Sequence, residues 1–541
     1  TQDQRRCLQA FLTSDYKSYL GRNRDRIPGT CLWFLNNENY QKWYKDQSSS
    51  LLLVTADPGC GKSVLAYSLI NRELKSSPTR TTCYFFFKDD DEKQKSAINA
   101  LSALLHQLFS QKRSLLPLAM QDFESTGAKL TESFDDLWKV LTRVANDPEA
   151  GEIVCVLDAL DECEESGRLQ IIEALNEFYL HYTRPEEHPT KLKFLATTRP
   201  YYHIERPFAT LTDAMPSVRL KGEEESAVIS EEINHVIKSR VHGDIGQKLG
   251  LDYSERLALE KDLLEIPHRT YLWITLIFEV ILGSLSVTKR KLEDIIKTVP
   301  GTVEKAYEEI LKKSVDQDQT RKLLCIVLAA KRPLTLKEMK IALAIRDEHR
   351  SYEELDLETD PRFRITIRNL CGLFVSVVDN KIYLIHQTAK EFLVASNAVL
   401  DNGWKHSITP IESELFIART CMTYLLFDEL YDKPFETEKV PMRLYHDDKW
   451  YDEFKDMAAG YINQHGYLGY ASQFWAVHWK IAQVDAHKTP ALLNSAIKLC
   501  NTRDGRGRTW YQFYRTSLQV MDKSPNASST YCPGTHTRSP F

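Results

Sequence analysis

Eight consecutive residues, Ala56-Asp57-Pro58-Gly59-Cys60-Gly61-Lys62-Ser63, combine glycines, a lysine and a hydroxyl at a spacing suited to gripping phosphate. A turn of this kind aims successive backbone N–H groups at an anion. Its glycines permit close approach, and a helix N-terminus behind it adds a favourable dipole. Lys62 is expected to contact β- and γ-phosphates, and the Ser63 hydroxyl to complete a Mg²⁺ shell. The stretch therefore reads as a P-loop for ATP or another purine nucleotide, with alanine at the first glycine position. Nucleotide contacts are expected from Pro58, Gly59, Cys60, Gly61, Lys62, Ser63 and Val64.

Three further groups could complete such a site. The apolar run Ile153-Val154-Cys155-Val156-Leu157 ends in Asp158, a carboxylate placed to hold Mg²⁺ if the run is a strand beside the P-loop. Taken alone, the segment reads as an ordinary acidic loop after a strand. Asp161 and Glu162 follow closely, and one or the other would orient the attacking water. Thr197-Thr198-Arg199 closes another apolar run, which would bring the Arg199 guanidinium to the same edge to read a γ-phosphate. The bland alternative is a surface arginine. His386 also follows an apolar run, and by its own neighbours alone it reads as a core histidine rather than a ligand.

These residues meet only if a scaffold gathers the strand ends. Buried-strand candidates are 51–55, 82–87, 153–157 and 192–197, separated by helical stretches that begin at Lys62 and cover 96–110 and 169–180. Strands alternating with helices imply an α/β fold with a parallel sheet covered on both faces. After Leu220 helical spacing takes over: Ile229, Ile233, Val236 and Ile237 fall on one face, and the acidic Glu223-Glu224-Glu225 marks a boundary. Capping boxes at Thr335 with Glu338 and Thr388 with Glu391 announce two helix starts. Between them 373–378 and 381–385 read as strands joined at Asp379-Asn380, the hairpin of a winged helix. The stretch 401–500 is helical and aromatic, with Trp475 and Trp479 on one face, and the chain from Ser524 onward has a disordered composition. The domains expected are a leader packing on the nucleotide domain (1–50), the P-loop domain (51–225), a helical domain (226–315), a winged helix (316–400), a helical segment (401–510) and a tail (511–541).

Composition agrees with several folded domains. At 541 residues the chain is too long for one core, and 43% hydrophobic with 27% charged residues argues against wholesale disorder. A net charge of -5 leaves no basic excess for nucleic acid as the main partner. The 11 cysteines include no CxxC pair, which excludes a locally encoded zinc site or disulfide scaffold and suits a reducing cytoplasm. The longest apolar run, Tyr271 to Leu285, is 15 residues with Glu279 inside, short of a membrane span and expected as a buried helix. The start at Thr1 without a signal segment suggests a piece of a longer protein, and the sequon at Asn526 would be inert in that compartment.

With these residues placed, the chain resembles the NACHT-domain class of STAND proteins, in the fungal NOD-like receptor group that carries a nephrocystin-like N-terminal domain. The resemblance rests on Asp57-Pro58-Gly59-Cys60-Gly61-Lys62-Ser63, on Val156-Leu157-Asp158-Ala159-Leu160-Asp161-Glu162, on Thr198-Arg199-Pro200, and on the run from Leu384-Ile385-His386 to Phe392-Leu393. It implies an ATP/ADP switch with slow hydrolysis, closed around ADP and opened by ATP to form a homo-oligomer. It also implies that His386 contacts the ADP β-phosphate in the closed state, and that the role lies in non-self recognition, heterokaryon incompatibility or regulated cell death. The family's helical-domain proline has its nearest counterpart in Pro267, whose register leaves the base contacts open. Neither an effector domain nor an ankyrin, WD40 or TPR array is visible, which places protein partners in regions outside this sequence. The text after Arg503-Asp504-Gly505-Arg506-Gly507-Arg508 departs from the family, as an altered gene model would. Two other readings compete with the switch: a high-turnover P-loop enzyme, and a scaffold without nucleotide dependence.

Overall fold

The computed structural model describes residues 2–23, 25–181, 191–220, 227–266, 269–282, 300–394, 403–435, 457–458, 460–482, 490–501 and 504–521. Two compact units divide the chain, one running to Ala306 and the other starting at Tyr307. The first is built on five parallel strands, β1 (Ser50–Ala56), β2 (Arg80–Phe86), β3 (Glu152–Asp158), β4 (Lys191–Thr198) and β5 (Ser217–Leu220), in the order β2-β3-β4-β1-β5. β1 is buried along its whole length and β3 is buried after Glu152, as continuous apolar runs require when helices cover both faces.

Register decides what meets at the C-terminal edge. Thr55 pairs with Thr198, Leu157 with Ala196, and Phe86 with Asp158. Because β4 lies between β1 and β3, the P-loop after β1, the carboxylate ending β3 and the arginine after β4 leave the sheet side by side. Four of the strands are those expected from sequence. β5 is an addition: four residues are too few to give a periodic signal, and pairing with Leu53–Ala56 makes the strand.

The outer edge of β2 is closed by side chains instead of another strand. Gln107, on the helix Ala97–Gln111, accepts from the Tyr84 N–H at 3.1 Å and donates to the Tyr84 carbonyl at 2.8 Å. Gln111 donates to the Thr82 carbonyl, and the Ser76 hydroxyl accepts from the Thr82 N–H. An edge satisfied in this way does not offer its ladder to another chain. Gln107→Ala should cost about 1–3 kcal/mol, because it leaves a backbone donor and an acceptor unmet. It should also raise aggregation on partial unfolding; urea denaturation followed by light scattering checks both.

The N-terminal 50 residues contribute to this core. Cys7, Phe11 and Tyr16 belong to the same buried cluster as Leu51, Phe85 and Leu104. Beyond the sheet, Ile233, Val236 and Ile237 are buried on the helix Ala227–Arg240, one face as the spacing predicts. Tyr271–Leu282 is the expected buried helix, with Trp273 donating to the Pro300 carbonyl at 2.7 Å. Among the described residues no helix is long and apolar enough to cross a membrane.

In the second unit, the helices Gln317–Ala329, Leu336–Ala344 and Asp360–Cys371 precede the antiparallel pair β6 (Val375–Val378) and β7 (Lys381–Leu384). Asp379 and Asn380 both take positive φ, 49° and 61°, the conformation of a tight two-residue hairpin turn. Thr335 and Glu338 form the expected capping box. The box expected at Thr388 is a correction: the helix is Gln387–Leu393 and its cap is His386, whose side chain accepts from the Thr388 N–H. Imidazole Nδ1 does here what a shorter polar side chain does at most helix starts. Further on, Trp475 is buried in the helix Leu468–Ile481 while Trp479 is half-buried. The acidic run 223–225, Pro267, the sequon at Asn526 and the chain from Ser524 lie outside the described residues.

Candidate functional site

At the end of β1 the chain turns through Gly59 and Gly61, both at positive φ (77° and 84°), and enters the helix Lys62–Ser68. An added Cβ at Gly59 would meet Leu272 Cβ at 3.0 Å, and one at Gly61 would meet the Tyr271 ring at 3.3 Å. Both glycines are thus required twice, by backbone conformation and by the segment packed over them. Cys60 is buried, Pro58 is exposed, and Gly59, Gly61, Lys62, Ser63 and Val64 are half-buried. The Lys62 ammonium folds back on the loop, donating to the Ala56 carbonyl at 2.7 Å and the Asp57 carbonyl at 3.1 Å. Burial pulls its pKa down, opposed by the Asp161 carboxylate and reinforced by the Arg199 guanidinium.

Asp158 has no solvent exposure. Its Oδ2 accepts from the Ser63 hydroxyl at 2.6 Å and its Oδ1 from the Thr197 hydroxyl at 2.7 Å, while Thr197 Oγ1 accepts from the Ala159 N–H. The P-loop serine and the β3 carboxylate are therefore already paired. Ala159 sits at φ 56°, a costly conformation for a residue with a Cβ, and it starts the short turn Leu160–Glu162 that carries the next two carboxylates.

Those two have separate partners. Asp161 Oδ2 lies 3.0 Å from Arg199 Nε, with each side chain only 4% exposed, and its Oδ1 accepts from the Arg199 N–H at 3.1 Å. Arg199 also donates to the Tyr201 hydroxyl at 2.8 Å. Glu162 Oε1 lies 3.0 Å from Lys88 Nζ. Burial pushes the Glu162 carboxyl up to about 7, with the Lys88 ammonium pulling the other way. Asp158, Asp161, Glu162, Arg199, Lys62 and Ser63 all lie at this strand edge.

Among the described residues no group of three or more His, Cys, Asp and Glu forms a metal cage. A hydroxyl and one carboxylate facing the loop suit a cation such as Mg²⁺, which keeps several waters and takes its remaining ligands from phosphate oxygens. Ser63 and Asp158 fit that role, and the two left-handed glycines fit a phosphate approaching the backbone.

His386 lies in the second unit. Its Nδ1 accepts from the Thr388 N–H at 3.2 Å and lies 2.9 Å from Thr388 Oγ1, which in turn is 3.0 Å from the Tyr307 hydroxyl. Accepting at Nδ1 puts the proton of the neutral ring on Nε2.

Sequence reasoning missed Thr270, Tyr271, Leu272 and Lys88. Thr270 caps the helix above Gly59 by accepting from the Trp273 N–H, and Leu272 N–H points to the Gly59 carbonyl at 3.4 Å. The signal was a threonine heading an apolar run. Tyr271 donates to Glu232 at 2.7 Å, which ties this cover to the helix Ala227–Arg240. Lys88 gave no signal, since nothing local distinguishes it from a surface lysine.

Three stretches of the chain match known protein families. Residues 29–199 match the nephrocystin 3 N-terminal family, 229–294 a domain of unknown function, and 307–402 the winged helix domain of GPI inositol-deacylase. The chain is 27% identical over 371 residues to the vegetative incompatibility protein HET-E-1 of Podospora anserina, covering 67% of this chain. It spans 26% of the length of that curated relative. Among solved structures, a Walker-type ATPase of Pyrococcus abyssi aligns at 12% identity over 68% of this chain and 97% of its own, with a TM-score of 0.34. The ORC2 protein of Aeropyrum pernix, in ADPNP-ADP complexes, aligns at 12% identity over 69% of this chain and 94% of its own, with a TM-score of 0.32. Likeness that slight leaves the fold to rest on the strands described above.

Proposed function

Starting from a chain that is a fungal NACHT-type STAND NTPase, we propose that it is an ATP/ADP-binding switch with slow hydrolysis, in which the bound nucleotide sets a closed or an open, self-associating state. The observation that carries the reading is the pairing of half-buried Ser63 with buried Asp158 beside Lys62, with Thr270, Tyr271 and Leu272 packed over the loop glycines. Lys62 would leave the Ala56 and Asp57 carbonyls for the β- and γ-phosphates, and Ser63 and Asp158 would hold Mg²⁺. That ion, when bound, would neutralise charge building on the phosphate oxygens. Arg199 would read the γ-phosphate, and Glu162 would orient the water. Asp161 serves as the anchor of Arg199, which favours Glu162 over Asp161 for that task.

The slow rate follows from pairing. Ser63 is paired with Asp158 and Lys62 with the carbonyls of its own loop, so these contacts must rearrange before phosphate and metal are held. A switch should turn over far below the enzymatic range of about 1 to 10³ per second. Nucleotide released from purified protein by denaturation and identified by chromatography tests the reading. ADP near one per chain supports it, and a nucleotide-free protein that binds neither ATP nor ADP overturns it. By likeness to HET-E-1, the biological setting we propose is fungal vegetative incompatibility, with cytoplasmic action and with protein partners engaged through regions beyond this sequence.

His386 tests the switch separately from binding. If its Nε2–H bonds the ADP β-phosphate, loss of a hydrogen bond to a charged group worth about 1.5–3 kcal/mol should shift the closed-to-open ratio roughly 10- to 150-fold. His386→Ala also removes a helix cap, a nucleotide-independent cost of about 1 kcal/mol, whereas His386→Asn keeps a capping side chain. We expect faster ADP release and more ATP-loaded oligomer from both variants, and a lowered melting temperature from the alanine alone. Wild-type ADP release in both would leave His386 as a cap only.

A further inference from the structure

Lys88 stands outside every motif in the sequence, yet it is the cation paired with Glu162. The pair is sheltered, with side chains 25% and 10% exposed. The loop that presents Lys88 after β2 is fastened at several points. Lys88 N–H donates to the Gln94 carbonyl at 3.2 Å, and the buried Gln94 side chain donates back to the Phe86 carbonyl at 2.8 Å. Phe87 N–H donates to the Asp158 carbonyl, and Glu164 N–H to the Lys95 carbonyl, each at 2.9 Å. From the second helix of the chain, Tyr16–Gly21, the Tyr19 hydroxyl donates to Asp91 at 2.7 Å. The tethered loop brings the Lys88 ammonium to Glu162, the carboxylate read above as the water-orienting group, with the Asp158 carboxylate also within its field.

We propose that Lys88 is the positioning residue for Glu162, holding its carboxylate ionised and aimed at the site of the attacking water. This rests on the reading of Glu162 given under the proposed function. The charged groups facing Glu162 are Lys88 and Asp89 from the loop after β2 and Asp161 from its own turn. Asp161 is already neutralised by Arg199. Lys88 is therefore the one cation among these that opposes the burial penalty on Glu162. Burial places the Glu162 carboxyl at about 7, so its ionisation is sensitive to the neighbouring charge near neutral pH. Removing the ammonium raises that value further, and each unit of rise lowers the ionised fraction at pH 7 about fivefold or more.

Single-turnover hydrolysis of ATP with Mg²⁺ by the full chain, followed from about pH 6 to about pH 9, tests this. Lys88→Met should hydrolyse about fivefold or more slowly than wild type at pH 7 and recover as pH rises, with ATP affinity changed less than about twofold. Lys88→Arg should restore the wild-type profile, and Lys88→Gln serves if the methionine variant does not fold. A neutral variant with the wild-type pH profile, or one that hydrolyses faster, overturns the proposal. Glu162→Gln separates the two levels: if it hydrolyses at the wild-type rate, the reading of Glu162 fails. If it is slow while the Lys88 variants keep the wild-type profile, only the role of Lys88 fails.

Discussion

Lys62→Ala should abolish nucleotide retention and leave the nucleotide-free protein no less stable than wild type. The two halves of that expectation have different causes. Against phosphate, the lysine would supply charge-assisted hydrogen bonds worth about 1.5–3 kcal/mol each, so affinity should fall on the order of 100-fold. Against the loop, its ammonium donates to the carbonyls of Ala56 and Asp57, and burial disfavours its charge more than the Asp161 and Asp158 carboxylates support it. Removing a cation held at a cost relieves the fold where it disables the site, a common trade between stability and function. Bound nucleotide per chain and melting temperature, measured on the same preparation, check both. Wild-type ADP content in the variant would refute the phosphate-site assignment, and a large loss of stability would mean that the loop depends on Lys62 structurally.

The second large effect concerns Arg199. Arg199→Ala should destabilise the first unit by about 3–5 kcal/mol, because it strands the Asp161 carboxylate in a place where both partners are only 4% exposed. A loss of that size is a large share of the 5–15 kcal/mol that holds a typical domain together. The double variant Arg199→Ala with Asp161→Ala should recover much of the loss, since no charge is then left buried alone. Denaturant unfolding of the single and double variants measures the coupling. If the double variant is no more stable than Arg199→Ala, the pair does not hold the site together electrostatically. Where the double variant folds, ATP and ADP binding can be compared directly, and it should lose any preference for ATP if the guanidinium reads the γ-phosphate.

Asp161 and Glu162 are held in different ways. Asp161 is bound twice by Arg199, through backbone and side chain, and is the better anchored of the two. Glu162 is held by the Lys88 side chain from the fastened loop after β2.

The local sequence by itself determined the chemistry on offer. Ala56 to Ser63 encodes a turn because glycine at two positions admits left-handed backbone, and the apolar runs around 51–55, 153–157 and 192–197 encode buried strands because they are continuous. The hairpin at Asp379-Asn380 and the capping box at Thr335 were legible for the same reason: each depends on residues within four positions of one another. Only the tertiary structure decided the partners. Ser63 meets Asp158, Arg199 meets Asp161 and Lys88 meets Glu162 because strand order places β4 between β1 and β3 and β2 on the far side of β3. No pattern within a short window carries that order. The same limit hid β5, whose four residues become a strand by pairing with β1, and the cover over Gly59 and Gly61, which comes from more than 200 positions along the chain. It also misplaced the cap at Thr388, because an imidazole acts as a helix cap at His386 only when the backbone is already extended there, at φ -160° and ψ 156°.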